Sequence, residues 1–452
     1  MKKSKLKLST THIILFSFFI AVLLGAVLLS LPISSATGKW TPFVDALFTS
    51  TTATCVTGLV VVPTFSAWST FGHIVILFLI QIGGLGVITV VSLLAMLFHK
   101  KMGLSDRLLL QDAFNLNTLS GLSRFVKKVV LGTFLVEGIG ALLYMTVFVP
   151  EFGSKGIWIS VFTAISAFCN AGIDIIAPDS LAGYVHNPII NLTTCLLIFF
   201  SGIGYIVWWD VIRVLKLRKK RKIKVLKALT LHSKIALTTT LILIFGGALC
   251  ILLFEYSNPL TMKDFTLYQK IQASFFQSVT TRTAGFFTVP QENLSNSSAL
   301  VSVLLMFIGG SPVGTAGGIK TVTVAVVVAA AIAAIKNKKD VTMFNRTLSK
   351  EAISKAVAVI CTSFFIMFMS TLLLSAVIDA SFLDILYETA SATATVGLTR
   401  NLTGSLNTIG KIIIIANMYF GRVGPISLAI ALNLKKQNPN IIKNPVEDIS
   451  VG

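Results

Sequence analysis

The sequence predicts an all-α polytopic membrane protein, built from four similar repeats around a central pore. Three observations predict this fold class. The 452 residues are 54% hydrophobic and only 12% charged, whereas a soluble chain carries about 25% charged residues. Eight apolar stretches are long enough for bilayer-crossing helices, which need about 20 residues. Four glycine-ended motifs recur at a nearly constant spacing, which is typical of internal repeats.

The eight apolar stretches predict eight transmembrane helices, a first (M1) and a second (M2) in each repeat. They run over Ile13–Leu31, Phe71–Phe98, Val129–Val149, Ile189–Trp209, Ile235–Phe254, Ala299–Ile335, Ala356–Ile378 and Thr408–Leu434. The basic start MKKSKLK also allows a removable signal peptide, cleaved near Ser34-Ser35-Ala36. The apolar run that follows is longer than the usual 7–15 residues, which disfavours this alternative.

The four motifs read TATCVTGL, AFCNAGID, VTTRTAGF and ATATVGLT, and their glycines Gly58, Gly172, Gly285 and Gly397 are 114, 113 and 112 residues apart. Each lies in a shorter, weaker apolar segment between two long ones. The predicted units are repeat 1 (12–98), repeat 2 (126–213), repeat 3 (232–335), repeat 4 (352–434) and a C-terminal tail (435–452). Each repeat has the order M1, pore loop, M2.

Charge decides whether the short segments cross the membrane or re-enter it. The N-terminus, the three linkers between repeats and the tail hold 29 of the 38 Lys and Arg residues, whereas connections within repeats hold seven, Arg282 among them. Cytoplasmic loops are the ones enriched in Lys and Arg. All five basic segments are therefore expected on the cytoplasmic side with both termini, which makes the short segments re-entrant and the repeats parallel. Parallel repeats disfavour a carrier of the inverted-repeat type.

The four motifs suit a filter made of backbone carbonyl groups. Irregular backbone at membrane depth is tolerated only where protein or water surrounds it. Loops that meet on one axis offer carbonyl rings to a dehydrated cation, and glycine reaches positive φ without steric cost. The alternative is that each glycine only permits a tight turn or close helix packing. The predicted filter residues are Val56, Thr57, Gly58, Asn170, Ala171, Gly172, Thr283, Ala284, Gly285, Thr395, Val396 and Gly397.

The sixth apolar stretch contains IGGSPVGTAGGIK, which predicts an interruption of the helix. Glycine costs about 1 kcal/mol and proline about 3 kcal/mol in a helix interior. The alternative is a kinked helix packed through Gly310 and Gly314. The residues of the predicted gating loop are Gly309, Gly310, Ser311, Pro312, Gly314, Thr315, Gly317 and Gly318.

Arg422 lies near the middle of the last apolar stretch, 11 residues after Lys411 and 13 before Lys435. That depth is too great for easy snorkelling, and an ionisable group there usually faces an aqueous path or a partner. Two interpretations stay open. Arg422 is part of a constriction in the pore, or it forms a structural ion pair with Glu137 or Glu388. Lys320, nearer the cytoplasmic end, is interpreted as an anchor.

Little else in the sequence carries chemistry. The five cysteines form no CxxC pair and are interpreted as small hydrophobes: Cys55, Cys169, Cys195, Cys250 and Cys361. The histidines form no i,i+4 pair and no catalytic motif occurs, so the chain is not expected to be an enzyme. Asp174 and Asp179 follow the second motif, where they either concentrate cations at the mouth or are ordinary solvated charges.

Taken together, the motifs resemble the Trk/Ktr/HKT superfamily, and within it the KtrB-type potassium-translocating subunits of Ktr systems. The resemblance covers essentially the whole chain and is carried by DALFTSTTATCVTGL, FLIQIGGLG, FTAISAFCNAG, FFQSVTTRTAGF, LLMFIGG with GTAGGIK, ETASATATVGLT and YFGRVGP. It implies potassium uptake through the filter, an intramembrane gating loop in repeat 3, and Arg422 as a constriction that cooperates with this loop. In this superfamily a serine at the first filter glycine accompanies sodium permeation, so four glycines imply potassium selectivity.

The resemblance also implies partners and a location. KtrB-type subunits form homodimers on an octameric ring of cytosolic subunits that bind ATP or ADP, and their C-terminal tails contribute to dimer contacts. Potassium ions in the filter are expected as ligands, with no covalent cofactor. A sodium-coupled potassium symporter on the same fold is the alternative, with sodium as a coupling or stimulating ion. The expected location is the bacterial cell membrane. The charge of +20 then faces anionic lipid and the ring, and no nucleic acid is expected.

Overall fold

The computed structural model describes residues 10–87, 121–177, 179–221 and 225–424, together with positions 89, 90, 92, 93, 103, 108, 110 and 111. The ends of repeats 1 and 4, the C-terminal tail and the basic N-terminal segment 1–9 lie outside these residues. Helices dominate the described part of the chain. A small antiparallel hairpin of β1 (Thr342–Met343) and β2 (Arg346–Thr347) lies between repeats 3 and 4.

The described helices follow the predicted order of long, short and long segments. In the first half they are α1 (Thr10–Ser30), α2 (Phe43–Cys55), α3 (Thr64–Ala67), α4 (Thr70–Leu85), α5 (Leu122–Phe152), α6 (Ser154–Cys169), α7 (Pro188–Gly202), α8 (Tyr205–Arg221) and α9 (Val225–Ala228). In the second half they are α10 (Leu231–Glu255), α11 (Leu267–Thr280), α12 (Asn296–Phe307), α13 (Thr321–Ile335), α14 (Lys350–Ser375), α15 (Phe382–Ala394) and α16 (Thr408–Val423).

The first helix of each repeat, here called the outer helix, is long enough to cross a bilayer. The outer helices α1, α5, α10 and α14 contain apolar spans of 19, 31, 25 and 26 residues. A rise of 1.5 Å per residue makes these spans about 28 to 47 Å long. Large apolar side chains such as Leu131 and Ile242 are exposed on them, as expected for helices whose solvent is lipid.

The short helix of each repeat, here called the pore helix, does not reach across a bilayer. The pore helices α2, α6, α11 and α15 have 13, 16, 14 and 13 residues, or about 20 to 24 Å against a hydrocarbon core of about 30 Å. Their C-terminal halves are buried almost completely although they are rich in Ser and Thr. Their length agrees with re-entrant segments, and the return of the chain to the same side of the membrane stays a prediction.

Pore helices dock on the outer helices of their own repeats through a serine and a glycine. The Ser50 hydroxyl donates to the Val22 carbonyl at 2.6 Å, and the Ser278 hydroxyl donates to the Ile244 carbonyl at 2.7 Å. In both repeats a glycine of the outer helix, Gly25 or Gly247, leaves room for the serine oxygen. Helix α1 is therefore packed into the fold, which favours an integral helix over a removable signal peptide.

The second helix of each repeat, here called the inner helix, is interrupted in repeats 1, 2 and 3, and in repeat 4 the described residues stop where the helix ends. Helices α4 and α16 end at Gly86 and Gly424, which have φ of 84° and 93°. Beyond Gly204, helix α8 bends away from α7 by 94°. In repeat 3 residues 308–320 separate α12 from α13. The prediction of continuous inner helices was wrong for repeats 1 and 2, because a single glycine at positive φ ends a helix as effectively as a glycine-rich run. The rest of the last apolar stretch, residues 425–434, lies outside the described residues. The number of complete crossings stays a prediction.

Candidate functional site

The four motif loops begin with the same backbone conformation. The residue two positions before each motif glycine lies in the left-handed region: Val56 (φ 56°), Asn170 (φ 61°), Thr283 (φ 68°) and Thr395 (φ 52°). Three of these four are β-branched, and such residues adopt positive φ only when their surroundings impose it. Strain of this kind, of order 1–3 kcal/mol per residue, is concentrated at functional sites.

Hydroxyl groups of the pore helices hold the loops. Thr52 accepts from the Gly58 amide at 2.9 Å, and Ser391 accepts from the Gly397 amide at 3.0 Å. In repeat 2 the Ser166 hydroxyl accepts from the Ile173 amide at 3.0 Å. The Ser and Thr residues before the motifs therefore satisfy backbone groups in the loops, which explains why the pore helices are polar although they are buried.

The four loops meet and close a ring. A Cβ atom on any motif glycine would overlap the carbonyl oxygen of the residue before the glycine in the next repeat. The pairs are Gly58 with Ala171, Gly172 with Ala284, Gly285 with Val396 and Gly397 with Thr57. The same atom on Gly58 would lie 3.2 Å from the Cα of Gly397. The structure thus brings all twelve predicted filter residues to one centre, and no side chain fits at the glycines.

The glycine-rich segment of repeat 3 is irregular, so the alternative of a kinked continuous helix is wrong. Helix α12 ends at Phe307 and α13 begins at Thr321. A Cβ on Gly317 would overlap the Thr395 hydroxyl, so the loop touches the fourth filter loop. Gly309 lies against Gly317 and Gly318, which folds the loop into a compact turn.

Repeat 2 holds the other side of this loop. The Ser311 amide donates to the Gly202 carbonyl at 2.7 Å, and the Tyr205 amide donates to the Val313 carbonyl at 2.9 Å. The Thr315 hydroxyl donates to the Phe168 carbonyl at 3.1 Å. Loop residues Pro312 and Gly314 approach Gly204 and Ser201. The predicted gating loop is therefore packed against the break between α7 and α8.

Arg422 contacts the gating loop and the first inner helix. Its guanidinium donates to the Thr315 carbonyl at 2.6 Å and to the Gly83 carbonyl at 2.5 Å. The alternative of an ion pair with Glu137 or Glu388 is wrong, because both carboxylates are engaged elsewhere. Glu137 accepts from the Gln81 amide at 3.2 Å. Glu388 accepts from the hydroxyls of Thr399 and Thr403.

Two further positively charged side chains lie beside the gating loop. From the sequence, one was predicted in a connection within a repeat and the other near the cytoplasmic end of a helix. Arg282 is buried and donates to the Gly309 carbonyl at 2.9 Å, so it is not a residue of an external connection. Lys320 is half-buried and donates to the Ala316 carbonyl at 2.6 Å, so it is not an anchor at the membrane surface. The position of Arg282 inside a pore-loop motif was the signal that could have identified it.

The cysteines and the two aspartates near the second motif have distinct surroundings. Cys55, Cys169 and Cys195 are buried, Cys250 is half-buried and Cys361 is exposed, so the interpretation as buried hydrophobes is wrong for Cys361. Asp174 is half-buried and accepts from the Ile176 amide at 3.3 Å. Burial raises the pKa of Asp174 to about 6. Asp179 is exposed.

Four motif loops that close a ring, an irregular segment packed against them, and long apolar helices outside them are typical of a polytopic membrane protein of the ion-transporting class. Residues 2–443 match the family model described as "TrkH: Cation transport protein". The chain belongs to this family, which confirms the resemblance found in the sequence.

Relatives of known name support the same conclusion. The chain is 41% identical over 442 residues to the Ktr system potassium uptake protein B of Bacillus subtilis, with 98% of this chain and 96% of that protein covered. It is 36% identical over 457 residues to the potassium/sodium uptake protein NtpJ of Enterococcus hirae, with 100% and 99% covered. These names describe transport proteins, as the sequence predicted, and not enzymes.

A solved structure shares the fold. The crystal structure of the potassium transporter TrkH from Vibrio parahaemolyticus matches with a TM-score of 0.74 at 17% identity, covering 96% of this chain and 87% of that chain. At this identity the match shows the fold alone, an all-α membrane architecture.

Proposed function

We propose that this chain takes up potassium across the bacterial cell membrane, through a filter formed by the four motif loops. The observation that carries the proposal is the closed ring of motif glycines and neighbouring carbonyl oxygens. A ring of carbonyl oxygens replaces the hydration shell of a cation without a fixed counter-charge. The names of the relatives from Bacillus subtilis and Enterococcus hirae support potassium as the ion.

The filter would hold potassium through the backbone carbonyl oxygens of the twelve predicted filter residues. These are Val56–Gly58, Asn170–Gly172, Thr283–Gly285 and Thr395–Gly397. Glycine at the four ring positions supports selectivity for potassium, because any larger residue would displace a carbonyl of the next repeat. Residues 309–318 would form the gate together with Arg422. The hydrogen bonds of Arg422 to Thr315 and Gly83 support this role, since they hold the loop against the first inner helix.

The assembly and the orientation belong to the same proposal. We infer a homodimer on an octameric cytosolic ring that binds ATP or ADP, with both termini cytoplasmic and the basic segments facing lipid headgroups and the ring. The relation to a protein named as component B of a Ktr system supports the need for a second component. The isolated chain would then transport without nucleotide control, and ATP would activate it only when the ring is present.

A sodium-coupled potassium symporter on the same fold is the second candidate, because the Enterococcus hirae relative is named for both ions. One experiment tests both candidates. The purified protein is reconstituted in liposomes, and uptake of K⁺ and Na⁺ is measured separately. K⁺ uptake that persists without Na⁺ supports the channel-like proposal, and K⁺ uptake that stops without Na⁺ supports the symporter. No K⁺ uptake in either condition would refute both.

A further inference from the structure

One hydroxyl group joins two filter loops to the gating loop. The Thr283 hydroxyl oxygen accepts from the side-chain amide of Asn170 at 3.2 Å and from the backbone amide of Gly317 at 3.2 Å. Thr283 and Asn170 are the left-handed residues of the third and second motif loops. Thr283 is fully buried and Asn170 is 1% exposed. The hydroxyl oxygen of the third filter loop therefore accepts one hydrogen bond from the second filter loop and one from the gating loop.

The same side chains close a circuit through repeat 2. The Ser201 hydroxyl donates to the Asn170 side-chain oxygen at 2.8 Å. The Ser201 carbonyl accepts from the Thr315 amide at 3.4 Å. The path from Thr283 through Asn170 and Ser201 thus returns to the gating loop, two residues from Gly317. Displacing the loop would break this circuit at two points.

We propose that Asn170 and Thr283 are positioning residues that couple the gating loop to the selectivity filter. This inference rests on the proposed function of the filter and the loop. When the loop leaves its place, Thr283 loses the Gly317 donor at a buried site, and the strained left-handed backbone of the third loop loses a support. By thermodynamic linkage, an ion that binds the filter and stabilises its conformation also stabilises the gating loop in the position seen here. Equally, a gating loop held in this position strengthens binding of the ion.

The fourth filter loop offers a matched comparison. Thr395 has the same type and the same left-handed position as Thr283, and it also lies next to Gly317. Within the described part of the chain, however, its buried hydroxyl has no hydrogen-bond partner. Removing that hydroxyl changes the filter wall without breaking a bond to the gating loop.

A double-mutant cycle tests the coupling. Thr283→Val and Thr395→Val are each made in the full chain and in a chain that lacks Ser311–Ala316, and ion uptake is measured in liposomes. Val keeps the β-branched shape at both positions. Loss of the two hydrogen bonds at Thr283 should raise uptake by the full chain about fivefold. In the deleted chain Thr283→Val should have no further effect, whereas Thr395→Val should act equally in both chains.

Hydrogen exchange of residues 308–320 gives a readout that does not depend on which ion is transported. Thr283→Val should speed exchange of the Gly317 amide about fivefold, and Thr395→Val should not. In the wild-type chain a bound filter ion should slow this exchange, and Thr283→Val should abolish that dependence. Asn170→Gly, which suits positive φ, should act like Thr283→Val and serves if the latter does not fold.

Equal effects of Thr283→Val on uptake in both chains, or unchanged exchange of Gly317 in both variants, would overturn the coupling. A failure of the proposed function looks different, because the wild-type chain would then show no K⁺ uptake. Hydrogen exchange of the Gly317 amide would still report the hydrogen bonds in that case. Faster exchange in Thr283→Val than in the wild-type chain supports the structural coupling, and an unchanged exchange rate rejects it.

Discussion

The ring of motif loops, our proposed filter, and the layer beneath it are built on opposite principles. In the ring each repeat supplies the same parts, a short polar helix, a left-handed residue and a glycine that touches the next repeat. In the layer beneath, each part occurs once. Repeat 3 supplies the irregular loop and Arg282, repeat 4 supplies Arg422, and repeat 2 supplies the carbonyls that accept from the loop.

This difference separates two tasks. Coordination of a spherical cation favours equivalent oxygens on all sides, which repetition provides. A barrier that moves needs an element that is held by a few breakable contacts, because only differential contacts shift a conformational equilibrium. We therefore expect changes in the ring to alter which ion passes, and changes beneath it to alter how much passes.

The largest effect is expected in the ring. Gly58→Ser should lower the preference for K⁺ over Na⁺ at least tenfold, as a rough estimate, because the new Cβ would displace the Ala171 carbonyl. Gly38→Ser is the matched control, since Gly38 also has positive φ, at 67°, but no atom lies within 4 Å of its Cβ position. Separate K⁺ and Na⁺ uptake measurements in liposomes check this. Unchanged selectivity in Gly58→Ser would remove the first loop from the filter.

Deletion of Ser311–Ala316 should raise K⁺ uptake about tenfold with little change in selectivity, because in the proposed function this segment is the gate that closes the ion path. Uptake is normalised to the amount of monodisperse protein in the liposomes. A loss of selectivity without a gain in uptake would contradict the separation of tasks.

Arg422→Ala should raise uptake about threefold, less than the deletion does, because it removes hydrogen bonds from a charged donor while the loop stays in place. Arg422→Lys should give a smaller increase, since one ammonium group cannot span the Thr315 and Gly83 carbonyls as the planar guanidinium does. Equal uptake by the Ala variant, the Lys variant and the wild type would assign Arg422 to packing alone.

The smallest effect concerns Asp174, which would lie at the mouth of the proposed pore. The raised pKa of Asp174, about 6, means that its carboxylate is charged at pH 7.5 and neutral well below pH 6. Acidifying the side of the membrane that Asp174 faces should therefore lower K⁺ uptake about twofold, because a negative charge that concentrates cations is lost. Asp174→Asn should be insensitive between pH 7.5 and 5.5. The exposed control Asp179→Asn should keep the wild-type pH dependence; loss of the dependence there instead would place the effect at Asp179.

Much of the ring was predictable from the sequence, because its determinants are local. The Ser and Thr residues before each motif glycine, and the short segment that contains each motif, concern residues close together in the chain. The recurrence of the same local pattern every 112 to 114 residues then predicts four equivalent loops. The interruption in repeat 3 was predictable for the same reason. The breaks at Gly86 and Gly204 were overlooked because a single glycine in an apolar stretch is a weak signal beside a run of glycines and a proline.

By itself, the sequence determined the membrane class, the four repeats, the short pore helices and the place of the irregular loop, since hydropathy and backbone propensity act over a few residues to a few turns. Only the tertiary structure decided the partners of the buried cations and of Asn170. Arg422 meets carbonyls 107 and 339 residues away, and Asn170 meets Thr283 113 residues away. Such contacts depend on how the repeats pack around the axis. The acceptors of the cations are backbone carbonyl groups, and because every residue carries one, the sequence does not show which of them accepts.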